Sequence, residues 1–307
     1  MASPAPAIEA FLLPGGVSGD ARLLALWHPP AGVPRGLVVY AHPFAEEMNK
    51  SRRMAALQAR ALAAGGLGVL QIDLKGCGDS SGEFSDATWA DWLADVRSAV
   101  GWLRQRADGP GLPRLPKPPP LPSLQKLPIT LWGLRAGCLV LAEAAAQMPE
   151  ECFDFLFWQP TTSGAGVLRQ FLRTAAAAAF LDGGGKGVVD GLRRQLAAGQ
   201  SVEVGGYRLH PALAAGLEDA RLAVPPRVGR LTWLEVSALV GDSADPVPLS
   251  PSSVTASTPW RQQAGGFEVR LVSGPPFWQT AEIETAPALL DATTAALTAS
   301  PSALRRP

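Results

Sequence analysis

Histidine and cysteine are scarce in this chain, and neither sign of charge is in excess. The three histidines lie far apart, which speaks against a histidine-built metal site, and neither a metal nor a cofactor is expected. The three cysteines, Cys77, Cys138 and Cys152, form no C-x-x-C pair and no metal-ligand spacing, so they read as reduced thiols in a cytoplasmic protein. The 27 Lys and Arg residues are balanced by 27 Asp and Glu. That balance argues against a general attraction to nucleic acid or to an acidic membrane surface. No apolar run is long enough to span a bilayer; the alanine-rich run 174–181 is short and reads as buried helix. The opening residues, MASPAPAIEAF, lack a basic region followed by an apolar stretch, so no secretory signal is expected.

What is present is apolar residue in quantity, 47% of 307 positions, enough for one large domain or a domain with an inserted cap. Residues 22–27, 36–41, 67–73, 129–132, 153–158, 231–236 and 267–272 read as strands. Several, such as GLVVYA at 36–41, are continuous apolar runs, as expected of strands covered on both faces. Helices are predicted over 49–63, with Asn49 as a cap, over 86–106, 135–148 and 281–297. The alternation predicts an α/β fold, a mostly parallel sheet flanked by helices.

Two stretches break the alternation. Residues 108–128 contain PGLPRLPKPPPLP, which cannot build a packed core and reads as an exposed loop insertion. Residues 159–230 hold three helix-like pieces and a hairpin at VEVGGYRL. The expected organisation is a core of 1–158, a mainly helical cap of 159–230, a second part of the core at 231–298 and a disordered tail of 299–307.

Four segments fall at the carboxyl ends of predicted strands, where open α/β sheets place their sites. They are His42-Pro43-Phe44, the loop DLKGCGDSSG at 73–82, the turn Gly133-Leu134-Arg135-Ala136-Gly137 and the loop GDSADPVP at 241–248. Together they resemble the α/β-hydrolase superfamily. That resemblance implies an inserted cap, an oxyanion hole from the N–H groups of Phe44 and Ala136, a nucleophile elbow at 133–137 and a triad acid at Asp245. The phrases LWGLRAG, DFLFWQP, FLRTAA, GGYRLHPALAAGL and PFWQTAEIE further resemble the hydrolase 2 family associated with the exosortase A system. Those proteins are linked to bacteria that export PEP-CTERM proteins and make exopolysaccharide. The resemblance implies a hydrolase of ester, thioester or acyl-transfer type.

The triad itself is degenerate. The nucleophile position carries Arg135, and a guanidinium stays protonated and has no free lone pair with which to attack a carbonyl. The superfamily's histidine turn reads Ser273-Gly274-Pro275-Pro276-Phe277-Trp278-Gln279, and the last histidine of the chain is His210, within the cap. Two of the three roles therefore lack a residue. Cys77 with His42 as base is a substitute pair, although a structural loop cysteine is the better reading of Cys77. Cys138 reads as buried packing, Ser80 and Ser81 as turn residues and His210 as a surface or capping residue.

Two function classes follow. One is an enzyme with unconventional catalytic residues. The other is a non-catalytic pseudo-hydrolase that binds an anionic or acyl small molecule or acts as a scaffold. In the second, Arg135 joins the N–H groups of Ala136 and Phe44, beside His42, in an anion pocket at a helix N-terminus. Phe277 and Trp278 would line it, and cap residues such as Leu168, Phe171, Leu172, Phe180 and Leu181 would cover an acyl chain. The alternative for Arg135 is an internal pairing with Asp245, Glu282 or Glu284, favoured because an unpaired charge there would be costly.

Overall fold

The computed structural model describes residues 7–106, 127–181, 187–239 and 249–298. The 241–248 loop with Asp245, the tail and all but the last two residues of the Pro-rich segment 108–128 lie outside these, as do the side chains of Phe180 and Leu181.

The order of elements is β1 (Glu9–Gly15), β2 (Ala21–His28), β3 (Gly36–Ala41), α1 (Glu46–Ala64), β4 (Leu67–Ile72), α2 (Trp89–Arg106), β5 (Ile129–Leu134), α3 (Gly137–Ala146) and β6 (Phe153–Trp158). Then follow α4 (Gly164–Leu181), α5 (Val188–Ala197), β7 (Val202–Val204), β8 (Tyr207–Leu209) and α6 (Pro211–Asp219). The chain returns through β9 (Val228–Ser237), α7 (Pro251–Gln263), β10 (Gly266–Ser273) and α8 (Pro287–Thr298). Eight strands form one sheet in the order β1-β2-β4-β3-β5-β6-β9-β10. β2 runs antiparallel to both of its neighbours, and every pair from β4 to β10 is parallel. β7 and β8 form a separate hairpin between β6 and β9.

The continuous apolar strands are explained by two cores, one on each face of the sheet. Val38 and Tyr40 of β3, Trp132 and Leu134 of β5, and Leu156 and Trp158 of β6 pack with Met54 and Leu62 of α1 and Leu289 of α8. The intervening residues, Leu37 and Val39, Ile129 and Leu131, Phe155 and Phe157, face Val96 of α2, Leu139 of α3 and Trp260 of α7. Successive side chains alternate between faces, so a strand buried on both sides needs an apolar residue at nearly every position.

Three local readings need correction. α1 begins at Glu46, not at Asn49. The chain turns at Ala45, which has φ 51°, and Asn49 sits inside the helix with its amide donating to Glu46 Oε2. α8 begins at Pro287 rather than near 281, consistent with proline's preference for a first helical turn. β1 and α7 were not expected: β1 is an edge strand hydrogen-bonded only to β2, and α7 opens where Ser250 Oγ accepts the Ser253 N–H.

Candidate functional site

The turn between β5 and α3 is a strained elbow. Arg135 has φ 55°, a left-handed conformation that non-glycine residues rarely adopt. It is held there because its N–H donates to Trp158 O at 3.0 Å and its carbonyl accepts the Cys138 N–H at 3.1 Å. This is why α3 starts at Gly137 rather than at residue 135. The flanking glycines are required by close approach. A Cβ on Gly133 would lie 2.7 Å from Cys138 N, and one on Gly137 would lie 2.4 Å from Ala41 O. Helix α3 thus presses its first turn against the ends of β3 and β5.

Arg135 is largely buried, its side chain 15% exposed. Its Nε and Nη2 both donate to Glu47 Oε1, at 3.4 and 3.3 Å, and Nη2 also donates to Gln170 Oε1 of α4 at 3.2 Å. Its guanidinium carbon lies 5.7 Å from the centroid of the Trp278 ring. The expected internal pairing therefore has a different partner. Glu47, in the first turn of α1, takes the arginine, while Glu282 and Glu284 are exposed. Burial pushes the Glu47 carboxyl above the usual range, and the Arg135 charge opposes that rise.

The loop after β10 packs beside the elbow. Phe277 is wholly buried, 6.2 Å from Trp158 and 5.0 Å from Trp278 between ring centroids. It is a core residue beneath the elbow, not a pocket wall, which corrects its assignment. Trp278 is 4% exposed and its Nε1 has no acceptor among the described residues.

His42 also departs from its expected role. It is buried, with Nδ1 2.8 Å from Pro43 O and Nε2 3.2 Å from the Leu74 N–H. Those partners define a neutral ring, protonated on Nδ1, that ties the β3 loop to the β4 loop. Burial lowers its pKa, although the Asp73 charge opposes this. Both of its nitrogens are engaged, so it is not free to serve Cys77 as a base, and it faces a separate cavity beside Arg52 rather than the elbow. Cys77 is buried, and burial together with Asp73 and Asp95 pushes its thiol up. Cys138 is fully buried and likewise raised by burial.

The 73–82 loop is a structural device. Asp73 pairs with Arg52 at 3.0 Å and accepts the Asp79 N–H. Ser80 donates to Asp73 O and accepts the Leu24 N–H, while Ser81 accepts the Arg22 N–H, so both hydroxyls bond backbone as turn residues do. His210 caps α6 by accepting the Ala212 N–H.

The segment between β6 and β9 closes over this end of the sheet. Phe171 of α4 stacks edge-on against Phe44 at 5.2 Å, and Tyr207 of β8 lies 5.3 Å from Phe84. The Tyr207 hydroxyl donates to Glu46 Oε2 at 3.0 Å. Beneath α4 lies a cavity of about 200 Å³. Phe44, Val167, Phe171 and Trp278 supply its apolar walls, and Glu47, Lys50, Gln170 and Gln279 its polar ones. The three side chains that Arg135 touches all line it. The N–H groups of Phe44 and Ala136 have no acceptor among the described residues.

The structure thus brings Arg135, Ala136, Phe44 and Trp278 together and sets His42 and Phe277 apart, with Asp245 outside the described residues. Sequence reasoning missed Glu47, Gln170 and Tyr207. The Glu46-Glu47 doublet just after Phe44 is the one available signal, since acidic residues favour a helix's first turn. Among the described residues no group of His, Cys, Asp and Glu is arranged to hold a metal ion, and no helix is long and apolar enough to cross a membrane.

No protein-family model matches the chain, and no curated protein matches it. Solved structures do. Est1E from Butyrivibrio proteoclasticus, with ferulic acid bound, superposes with a TM-score of 0.57 at 18% identity, over 91% of this chain and 93% of that one. The α/β hydrolase GrgF from Penicillium sp. sh18 gives 0.55 at 16% identity, over 94% and 96%. A carboxyl esterase from Bacillus coagulans gives 0.53 at 15%, over 95% and 97%. Likeness at such identities is likeness of fold. With the strand order, the antiparallel β2 and the elbow after β5, it establishes that the chain has the α/β-hydrolase fold.

Proposed function

We propose that this protein is a non-catalytic pseudo-hydrolase that uses the site beside the elbow to bind an acyl or anionic small molecule. One observation carries the reading. The elbow tip holds Arg135, engaged by Glu47 and stacked over Trp278, and a guanidinium so held supplies neither the nucleophile nor the base that acyl transfer needs. The buried thiols offer no substitute, because a thiol raised by burial yields little thiolate.

The cavity supports binding. An apolar cavity of roughly 150 Å³ accepts benzene, so about 200 Å³ suits one ring or a short acyl chain. Est1E, of the same fold, has been seen with ferulic acid bound. The short sequence phrases beginning with LWGLRAG support a role in an exosortase A system of a bacterium that makes exopolysaccharide. Fold alone assigns no chemistry, so these supports are separate from one another.

Labelling tests the reading. A Cys152→Ser variant, which removes the exposed thiol, is treated with a fluorophosphonate and with a maleimide. The expected result is no fast, stoichiometric labelling of the native protein by either. One-site labelling that disappears on denaturation would identify an active nucleophile and overturn the proposal. The genomic role is tested by the gene neighbourhood, which should hold exosortase and polysaccharide genes.

A further inference from the structure

Resting on that binding reading, we infer that Glu47 is an internal surrogate for a ligand's acid group. The cavity takes a monocarboxylate with a single-ring or short acyl body, which binds by exchanging with Glu47 on Arg135.

The pairing of Glu47 with Arg135 is incomplete. Two guanidinium nitrogens share one carboxylate oxygen at 3.4 and 3.3 Å, whereas charge-assisted bonds favour about 2.7–2.9 Å and arginine favours a two-oxygen fork. Nη1 has no acceptor among the described residues. Around it stand further unmet donors: the N–H groups of Phe44 and Ala136, and the Nε1 of the almost wholly buried Trp278. Of these, Trp278 Nε1 is buried, and a buried donor without an acceptor is rare and costly. The missing partner is therefore rich in acceptors and poor in donors, as a carboxylate is. Glu47 reaches the site from a helix with its backbone fixed and meets only part of that demand; a free carboxylate can orient to meet more.

The exchange has somewhere to put Glu47. Lys50 lies one turn further along α1, lines the same cavity and donates to Thr280 O. Residues three apart on a helix are neighbours, so a displaced Glu47 gains a cation within its own helix. The ligand body would rest against Phe44, Phe171 and Trp278. The groups facing Glu47 are Arg135 on the elbow, Glu46 and Lys50 on α1, Gln170 on α4 and Gln279 after β10. Burial raises the Glu47 carboxyl, so falling pH neutralises the surrogate and frees the arginine.

Calorimetric titration of the full chain tests this, with benzoate and hexanoate as charged probes and benzamide as the neutral control. In the wild type the carboxylates bind weakly. Glu47→Gln binds them about tenfold more tightly or better, because the competent state no longer has to be vacated, and Arg135→Gln loses them. Benzamide is indifferent to both changes. Unchanged or weaker carboxylate binding in Glu47→Gln overturns the exchange, as does an equal gain for benzamide. If charged and neutral probes bind all variants alike, the cavity reading survives and the exchange fails; if no probe binds any variant, both fail. Should Glu47→Gln not fold, benzenesulfonate, an anion throughout, is titrated into the wild type across pH. Its affinity rises as pH falls, and a flat profile overturns the inference.

Discussion

Arg135 and Trp278 meet face to charge across two loops that come from strands far apart in the chain, with 5.7 Å between the guanidinium carbon and the ring centroid. In an acyl-transfer enzyme a nucleophile and its base share a hydrogen bond between such positions. Here a cation rests on an aromatic face, an attraction of about 0.5–2 kcal/mol depending on desolvation. The elbow is strained at the same residue, since Arg135 has φ 55°.

Arg135→Ser restores the usual elbow residue and is expected to restore no esterase activity. On the proposed reading no base stands there: Phe277 and Trp278 are buried beside the elbow, and His42 has both ring nitrogens engaged. Hydrolysis of p-nitrophenyl acetate by the variant should match the uncatalysed rate; saturable turnover would reveal a base elsewhere. The same change strands a mostly buried Glu47. It should lower stability by about 1–2 kcal/mol, less than the loss of a fully buried pair because both side chains are partly exposed.

Gly137→Ala should destabilise by about 2–4 kcal/mol, because its Cβ would meet backbone rather than a movable side chain, with Ala41 O at 2.4 Å. Gly191→Ala is the counterpart. It lies inside α5 with nothing within 4 Å of its Cβ position, so it should stabilise by about 0.5–1 kcal/mol. Thermal denaturation of the pair measures both, and opposite signs are the expected outcome.

Tyr207→Phe removes the hydroxyl that bonds Glu46 and Asn49 but keeps the ring contacts with Phe84 and Phe171. The expected loss is about 0.5–1.5 kcal/mol. It should show as faster amide exchange in β7, β8 and the start of α4, with little change in α2 or α3. Uniform loss of protection would mean that Tyr207 acts on the whole fold and not on the closure of this segment.

Asp95 gives a pH signature. It is fully buried, and burial pushes it up to about 6, opposed by the Lys75 and Gly16 N–H groups it accepts. The folded state thus holds this proton more tightly than the unfolded chain. Between about pH 4 and 6 stability should fall as pH rises, by roughly 2–3 kcal/mol in total. Its neighbour Asp91 behaves oppositely. Burial would raise it, but bonds from Val17, Thr88 and Lys75 prevail and lower it, so its contribution is lost as pH falls. Urea titrations of wild type and Asp95→Asn across this range should diverge with the stated sign; parallel profiles would refute it.

Much of the fold was legible in the sequence. GLVVYA at 36–41 and FLFW at 155–158 could be continuously apolar only if both faces of each strand were covered, and they are. Gly133 and Gly137 marked the elbow because any Cβ there collides with backbone. The absence of serine at 135 and of histidine near 277 followed from residue identity alone. What took their place did not. Glu47 stands 88 residues from Arg135, and Tyr207 stands 161 from Glu46. No periodicity relates residues so far apart; their contact depends on where α1, the elbow and the hairpin arrive at one end of the sheet. Local propensity and strand alternation act over a few residues, and they set the scaffold and the missing chemistry. Which carboxylate meets the arginine, and which ring lies beneath it, was decided only when the chain folded.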